Sequence, residues 1–180
     1  MQKKMLEKNK DQILIGLISD THIHSKFPDI LHHIINDFKE KQIDYLVHLG
    51  DYTHYKVFEN FQKIFSKEKF IGIIGNMDDS NLKKELPEKM ELELFGHKIF
   101  ITHGEGGPHN IINLLNRRFD LSNYDIIIFG HAHQPFNETW GDGKLYINPG
   151  SPTDKRFTDI NSYGYLKISQ EKIEPKIIYL

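Results

Sequence analysis

Seven side chains able to hold a metal ion each stand just after a short apolar run. Asp20 and His22 follow residues 13–19, Asp51 follows 44–50, Asn76 follows 70–75, His103 follows 98–102, and His131 with His133 follow 125–130. The chain has no cysteine, which excludes disulfides, thiolate ligands and a cysteine nucleophile, so any metal must take histidine and oxygen ligands. Seven donors exceed the four that one zinc usually takes and suit two divalent cations sharing a carboxylate. Asp51 is the natural bridge. It stands alone after Gly50, in the middle of the set, and its two oxygens can each face a different cation. Asn76 adds only a neutral carbonyl oxygen, so two carboxylates would face two dications. Such a pocket attracts a phosphate anion, and a hydroxide shared by two cations is a nucleophile near neutral pH.

Each piece has an ordinary explanation when taken alone. Asp20-Thr21 can cap a helix, Asn76 with Asp78 and Asp79 can make a turn, Gly50-Asp51 is common at strand ends, and a lone His103 is more often structural. Gly130-His131-Ala132-His133 is more specific, because two histidines one residue apart at a strand end reach one pocket. Five such sites, each directly after a buried-strand pattern, are not what chance supplies.

The five runs must position them. They are continuous rather than alternating, the pattern of strands covered on both faces. Helical spacing appears between them, in 28–42 with Ile30, Leu31, Ile34, Ile35 and Phe38, and in 110–119. In an open sheet of strand–helix units the carboxyl ends of the strands share one edge, where ligands bind, so the seven donors are expected to converge there. After Gly130 the segments 134–139, 144–147, 163–168 and 173–179 alternate and are punctuated by Gly141-Asp142-Gly143 and Asn148-Pro149-Gly150, which predicts an antiparallel half. Two packed sheets flanked by helices accommodate all of these pieces.

At 180 residues and 38% apolar content the chain suits one domain, taken as 13–180 behind a polar extension at 1–12. A formal charge of −2, from 23 basic and 25 acidic residues, leaves no nucleic-acid footprint and favours a small substrate. No run of about 18 apolar residues indicates a membrane span, and the charged opening lacks a secretory stretch, so a cytoplasmic location is expected. A homo-oligomer is compatible with the sequence, which does not specify it.

Asp20-x-His22, Gly50-Asp51, Gly75-Asn76, His103-Gly104 and Gly130-His131-x-His133 resemble, in order, the motifs of the calcineurin-like metallophosphoesterases. The 148–151 segment Asn-Pro-Gly-Ser and the short length are most similar to the small YfcE-like phosphodiesterase branch. The resemblance implies a four-layer α/β/β/α sandwich of two mixed sheets flanked by helices. It implies Asp20, His22, Asp51 and His133 around one cation and Asp51, Asn76, His103 and His131 around the other, with Asp51, Asn76 and His103 as the catalytic subset. Manganese is the foremost metal it implies, and iron, nickel or zinc suit the same ligands. The implied activity is hydrolysis of a small phosphate ester, most naturally a diester. A retromer scaffold subunit shares this fold as a non-catalytic binding module, and that alternative predicts missing ligands.

Two positions depart from the pattern. Many members carry after the motif asparagine a histidine that assists the leaving group; here Met77, whose thioether cannot donate a proton, takes that place. Glu105 stands where short members often have another histidine. His24, His54 and His109 fall in loops beyond the donor strands, near enough in sequence to touch substrate. His32, His33 and His97 read as surface residues, and Arg117-Arg118 as a pair complementing a helix end.

Overall fold

The computed structural model describes residues 2–4, 10–24, 26–156 and 158–180. Among them β2 (Gln12–Ile18), β3 (Tyr45–His48) and β4 (Phe70–Gly72) are three of the expected apolar strands. They pair in parallel, with Ile15 opposite Tyr45 and Leu46 opposite Phe70. β10 (Ser162–Ser169) and β11 (Ile173–Tyr179) extend this sheet antiparallel on the other side of β2. The second sheet contains β6 (His97–Thr102), β7 (Ile126–Ile128) and β9 (Leu145–Asn148) in parallel. It is flanked by β5 (Lys89–Leu94), antiparallel to β6, and β8 (Phe136–Thr139), antiparallel to β9. β1 (Gln2–Lys4), inside the segment expected to be a polar extension, runs parallel to β5 at the sheet's edge.

The strands after Gly130 pair antiparallel with one another as expected, β8 with β9 and β10 with β11, but they are divided between the two sheets. The Gly141-Asp142-Gly143 hairpin folds β9 back between β7 and β8, so β9 is antiparallel to β8 but parallel to β7. β10 and β11 then leave for the other sheet. Alternating side-chain patterns report which faces are buried, and both pairings satisfy them equally.

Why the runs are continuous is visible in the packing. Ile13, Ile15 and Leu17 of β2 meet Ile99, Ile101, Ile126 and Ile128 of the facing sheet in the central core. Ile18 and Leu46 point the other way, onto α1 (Asp29–Glu40) and α2 (Tyr55–Phe65). Phe100, Ile127 and Tyr146 likewise pack outward onto α4 (Ile111–Arg118). The result is the four-layer α/β/β/α sandwich. Each helix buries one stripe, in α1 Leu31, Ile34, Ile35 and Phe38, at the spacing read from the sequence. A fully buried aliphatic side chain of this kind contributes roughly 1.5–3 kcal/mol. Asp79 accepts from the Tyr55 N–H at 2.8 Å at the start of α2 and from the Leu82 N–H at 3.1 Å at the start of α3 (Leu82–Glu85). One carboxylate thereby satisfies orphan donors of two helices.

Candidate metal centre

The loops leaving β2, β3, β4, β6 and β7 meet at one edge of the sandwich. Backbone bonds stitch them together: the Asp20 N–H donates to Gly50 O at 3.0 Å, the His22 N–H to Asp51 O at 2.9 Å, and the Gly130 N–H to His103 O at 3.0 Å. Glycine precedes a donor residue where these loops come closest. A Cβ on Gly75 would overlap the Asp51 amide and carboxylate, lying 2.8 Å from Cγ, and one on Gly130 would sit 3.0 Å from Asp20 Oδ2. The motif glycines are therefore clearances for a neighbouring loop's donor.

All seven expected residues face one another across this edge. His22 and His133 approach Nε2 to Nε2 at 3.2 Å, and His133 Nε2 lies 3.3 Å from Asp20 Oδ1. On the other side His131 Nδ1 is 3.2 Å from His103 Nε2, with Asn76 Oδ1 at 2.9 Å from the first and 3.1 Å from the second. Asp51 Oδ2 is 3.6 Å from both His22 Nε2 and His103 Nε2, so one oxygen addresses both histidine groups. The other oxygen, Oδ1, accepts the Met77 N–H at 2.7 Å. Asp20 also touches both groups, since the donor atoms of Asp20, His22 and His133, and those of Asp20, Asp51 and His103, lie within 4.8 Å of each other.

The donor set fits metal binding on grounds internal to the structure. Asp20 Oδ1 is buried without a hydrogen-bond donor among the described residues, while Oδ2 is held by the Ser19 hydroxyl at 2.5 Å and the His131 N–H at 2.9 Å. A bare carboxylate oxygen facing imidazole nitrogens is costly unless a cation is to sit there. Asp20, His22, Asp51, His131 and His133 also take positive φ of 42–65° although none is glycine. Such strain at five of seven neighbouring positions marks a site that the surrounding fold over-determines.

The electrostatics agree. Burial opposes ionisation of Asp20, but His133, His103 and the Ser19 hydroxyl overcome it and hold the carboxyl well below the ordinary range. Burial works against a charge on His103 too, yet the Asp51 hydrogen bond, the Asp20 and Asp51 charges and the Leu49 carbonyl raise its pKa to about 9. Its Nδ1–H donates to Leu49 O at 2.6 Å, which leaves Nε2 turned toward the centre. A cation held at Nε2 would have to displace a proton from this ring. His22 and His131 are pushed down, chiefly by burial.

Several residues to which the sequence assigned no role at the centre build its support. Asp78 accepts from the N–H groups of Gly75, Thr53 and Asp51 at 2.7, 2.9 and 3.1 Å, locking the β3 and β4 loops together. Asn148 donates from Nδ2 to Gly130 O at 2.7 Å, and Ser151 from Oγ to Asp20 O at 2.7 Å, so the 148–151 segment braces two donor loops. Asp154 comes within 3.7 Å of His133 and 3.9 Å of His22. Glu105, at the second departure, pairs with Arg118 at 2.5 Å outside the centre. His24 and His54, both exposed, face each other edge-on at 5.9 Å, and His109 lines a cavity of about 420 Å³ walled by Ile112, Phe136 and Trp140.

Residues 13–171 match the model of the calcineurin-like phosphoesterase superfamily domain. The chain belongs to that superfamily. A probable metallophosphoesterase of Methanocaldococcus jannaschii, MJ0623, is 32% identical over 170 residues, covering 92% of this chain and 81% of its own length. The phosphodiesterase YfcE of Escherichia coli K12 is 26% identical over 172 residues, covering 85% and 88%. Among solved structures, Vps29 of Entamoeba histolytica complexed with zinc superposes with a TM-score of 0.72 at 19% identity, over 93% of this chain and 99% of its own. That last likeness concerns the fold alone. Within the superfamily the enzymatic class is that of a metal-dependent phosphoester hydrolase.

Proposed function

We propose that the seven converging side chains hold two divalent cations and that the chain hydrolyses small phosphodiesters. The observation that carries this reading is the position of Asp51 Oδ2, 3.6 Å from a histidine of each group. His22, His133 and Asp20 would hold the deeper cation, His103, His131 and Asn76 the outer one, with Asp51 common to both. When bound, the pair supplies Lewis acidity and an acidified water as nucleophile, both available near neutral pH.

The chain's own residues do the rest. Asn76 and His131 stand at the open side of the centre, where a phosphoryl group must enter, and the amide dipole of Asn76 can neutralise charge on its oxygens. Asp20 and His133, fully covered, anchor the floor. Met77, 51% exposed beside Asn76, offers no proton to a departing alkoxide. Esters with acidic leaving groups are therefore the natural substrates, since general-acid help of roughly 10²–10⁴-fold is missing. The name of the YfcE relative as a phosphodiesterase supports the diester preference. Manganese as the resident metal and a cytoplasmic location belong to the same reading. No helix among the described residues is long and apolar enough to cross a membrane.

The test is to strip the protein of metal, restore Mn, Ni, Zn or Mg separately, and assay diester and monoester panels. Activity that returns with a transition metal, first on diesters, supports the proposal. No hydrolysis under any metal would leave the scaffold alternative standing.

A further inference from the structure

Asp154 and Arg156 lie on the segment that follows the 148–151 brace. Asp154 places Oδ1 3.7 Å from His133 Nδ1 and Oδ2 3.9 Å from His22 Nε2. Its carboxylate is held in turn by Arg156, whose backbone N–H donates to Oδ1 at 2.9 Å and whose Nε donates to Oδ2 at 2.6 Å. A single carboxylate thus separates the guanidinium from the metal centre. The segment is pinned there: the Ser151 hydroxyl accepts the Asp154 N–H at 2.9 Å, and Thr153 Oγ1 donates to Thr21 O at 2.7 Å. The Arg156 side chain is 54% exposed, and its two Nη groups make no hydrogen bond among the described residues.

An exposed ion pair adds little stability, so stability does not explain this arrangement. Its geometry suits another task. Binding through Nε restrains the guanidinium beside the centre and leaves the forked Nη pair without a partner among the described residues, a shape that matches two oxygens of a phosphoryl group. The intervening carboxylate also offsets the repulsion that a bare guanidinium would exert on nearby cations.

We propose that Arg156 is the anion-binding arm of the centre, its Nη groups gripping a non-bridging phosphoryl oxygen of the substrate while Asp154 sets their direction. The inference rests on the phosphoesterase reading above. In that role Arg156 neutralises charge that the cations and Asn76 leave on the phosphoryl oxygens as the leaving group departs.

The experiment compares manganese-loaded wild type with Arg156→Gln and Arg156→Lys. It measures bound metal by elemental analysis, inorganic phosphate affinity by calorimetry, and kcat/KM on bis(nitrophenyl) phosphate. Arg156→Gln should keep its full metal content, bind phosphate about 10–100-fold more weakly and lose kcat/KM by a similar factor, with Lys recovering part of both. Unchanged phosphate affinity in Arg156→Gln overturns the inference, as does a loss of metal that accounts for the lost activity. A wild type that takes up metal but neither binds phosphate nor cleaves any ester removes the phosphoesterase reading itself, and the arm with it.

Discussion

The backbone N–H of Met77 donates to Asp51 Oδ1 at 2.7 Å. The position that departs from the family pattern in its side chain therefore still serves the centre through its main chain, by turning Oδ2 of Asp51 toward His22 and His103. Side chain and backbone at this one residue have separable roles.

Asp51→Asn should halve metal stoichiometry or worse. The amide would present either a neutral oxygen to two cations or an N–H that repels them. The loss of kcat should exceed the roughly 10–100-fold typical of removing a mere partner of a ligand. Metal analysis and steady-state rates on a diester check this, and a variant as active as the parent would contradict the bridging role.

Met77→His restores a proton donor without touching the Asp51 bond, because that bond uses the backbone. The side chain is half-exposed, so stability should change little. The rate on an alkyl ester should rise toward that on a nitrophenyl ester, narrowing their ratio by about 10²-fold where chemistry limits turnover. An unaltered ratio would mean that leaving-group protonation is not the deficit.

Gly75→Ala tests the clearance argument. Its Cβ would press on the Asp51 amide and carboxylate, so the loop must move and the centre with it. Metal affinity should fall by at least tenfold, and overpacking should cost about 1–3 kcal/mol in thermal or denaturant unfolding. Wild-type metal binding in this variant would show that the loops approach less closely than 2.8 Å implies.

His48 makes the metal-free protein acid-sensitive. It is fully buried, stacked on Tyr52 at 3.7 Å, with the Gly50 N–H donating to Nδ1 at 3.3 Å and Nε2 placed 3.1 Å from the Thr21 hydroxyl. Burial pushes its pKa down from 6.5 to about 3. Below 6.5 the unfolded chain takes up a proton that the folded chain refuses, so this stabilisation is complete above that pH and lost progressively down to about 3. The slope contributed is roughly 1.4 kcal/mol per pH unit within the window. Denaturant titrations of apo wild type and His48→Gln between pH 6.5 and 4 should diverge in slope by about that amount, and parallel slopes would reject it.

Much of the centre was legible before any coordinates. Each of the seven donors follows an apolar run, and burial on both faces is what makes those runs continuous, so strand ends could be read from hydrophobicity alone. The convergence of those ends follows from a general property of parallel strands joined by helices. The alternation of 163–168 and 173–179 likewise marked strands, but not their partners. Lys89–Leu94 escaped notice because its pattern alternates with charged residues at the sheet's margin.

What the primary structure determined by itself was the identity and order of the donors, since inward-facing apolar periodicity and the residue that ends it are local properties. Only the tertiary structure decided that β9 lies parallel to β7, that one oxygen of Asp51 serves both histidine groups, and that Asp78, Asn148, Asp154 and Arg156 support the centre. Those facts depend on contacts between residues distant along the chain. An acid beside an arginine in a loop looks the same in sequence whether it faces solvent or a metal centre, and only packing distinguishes the two.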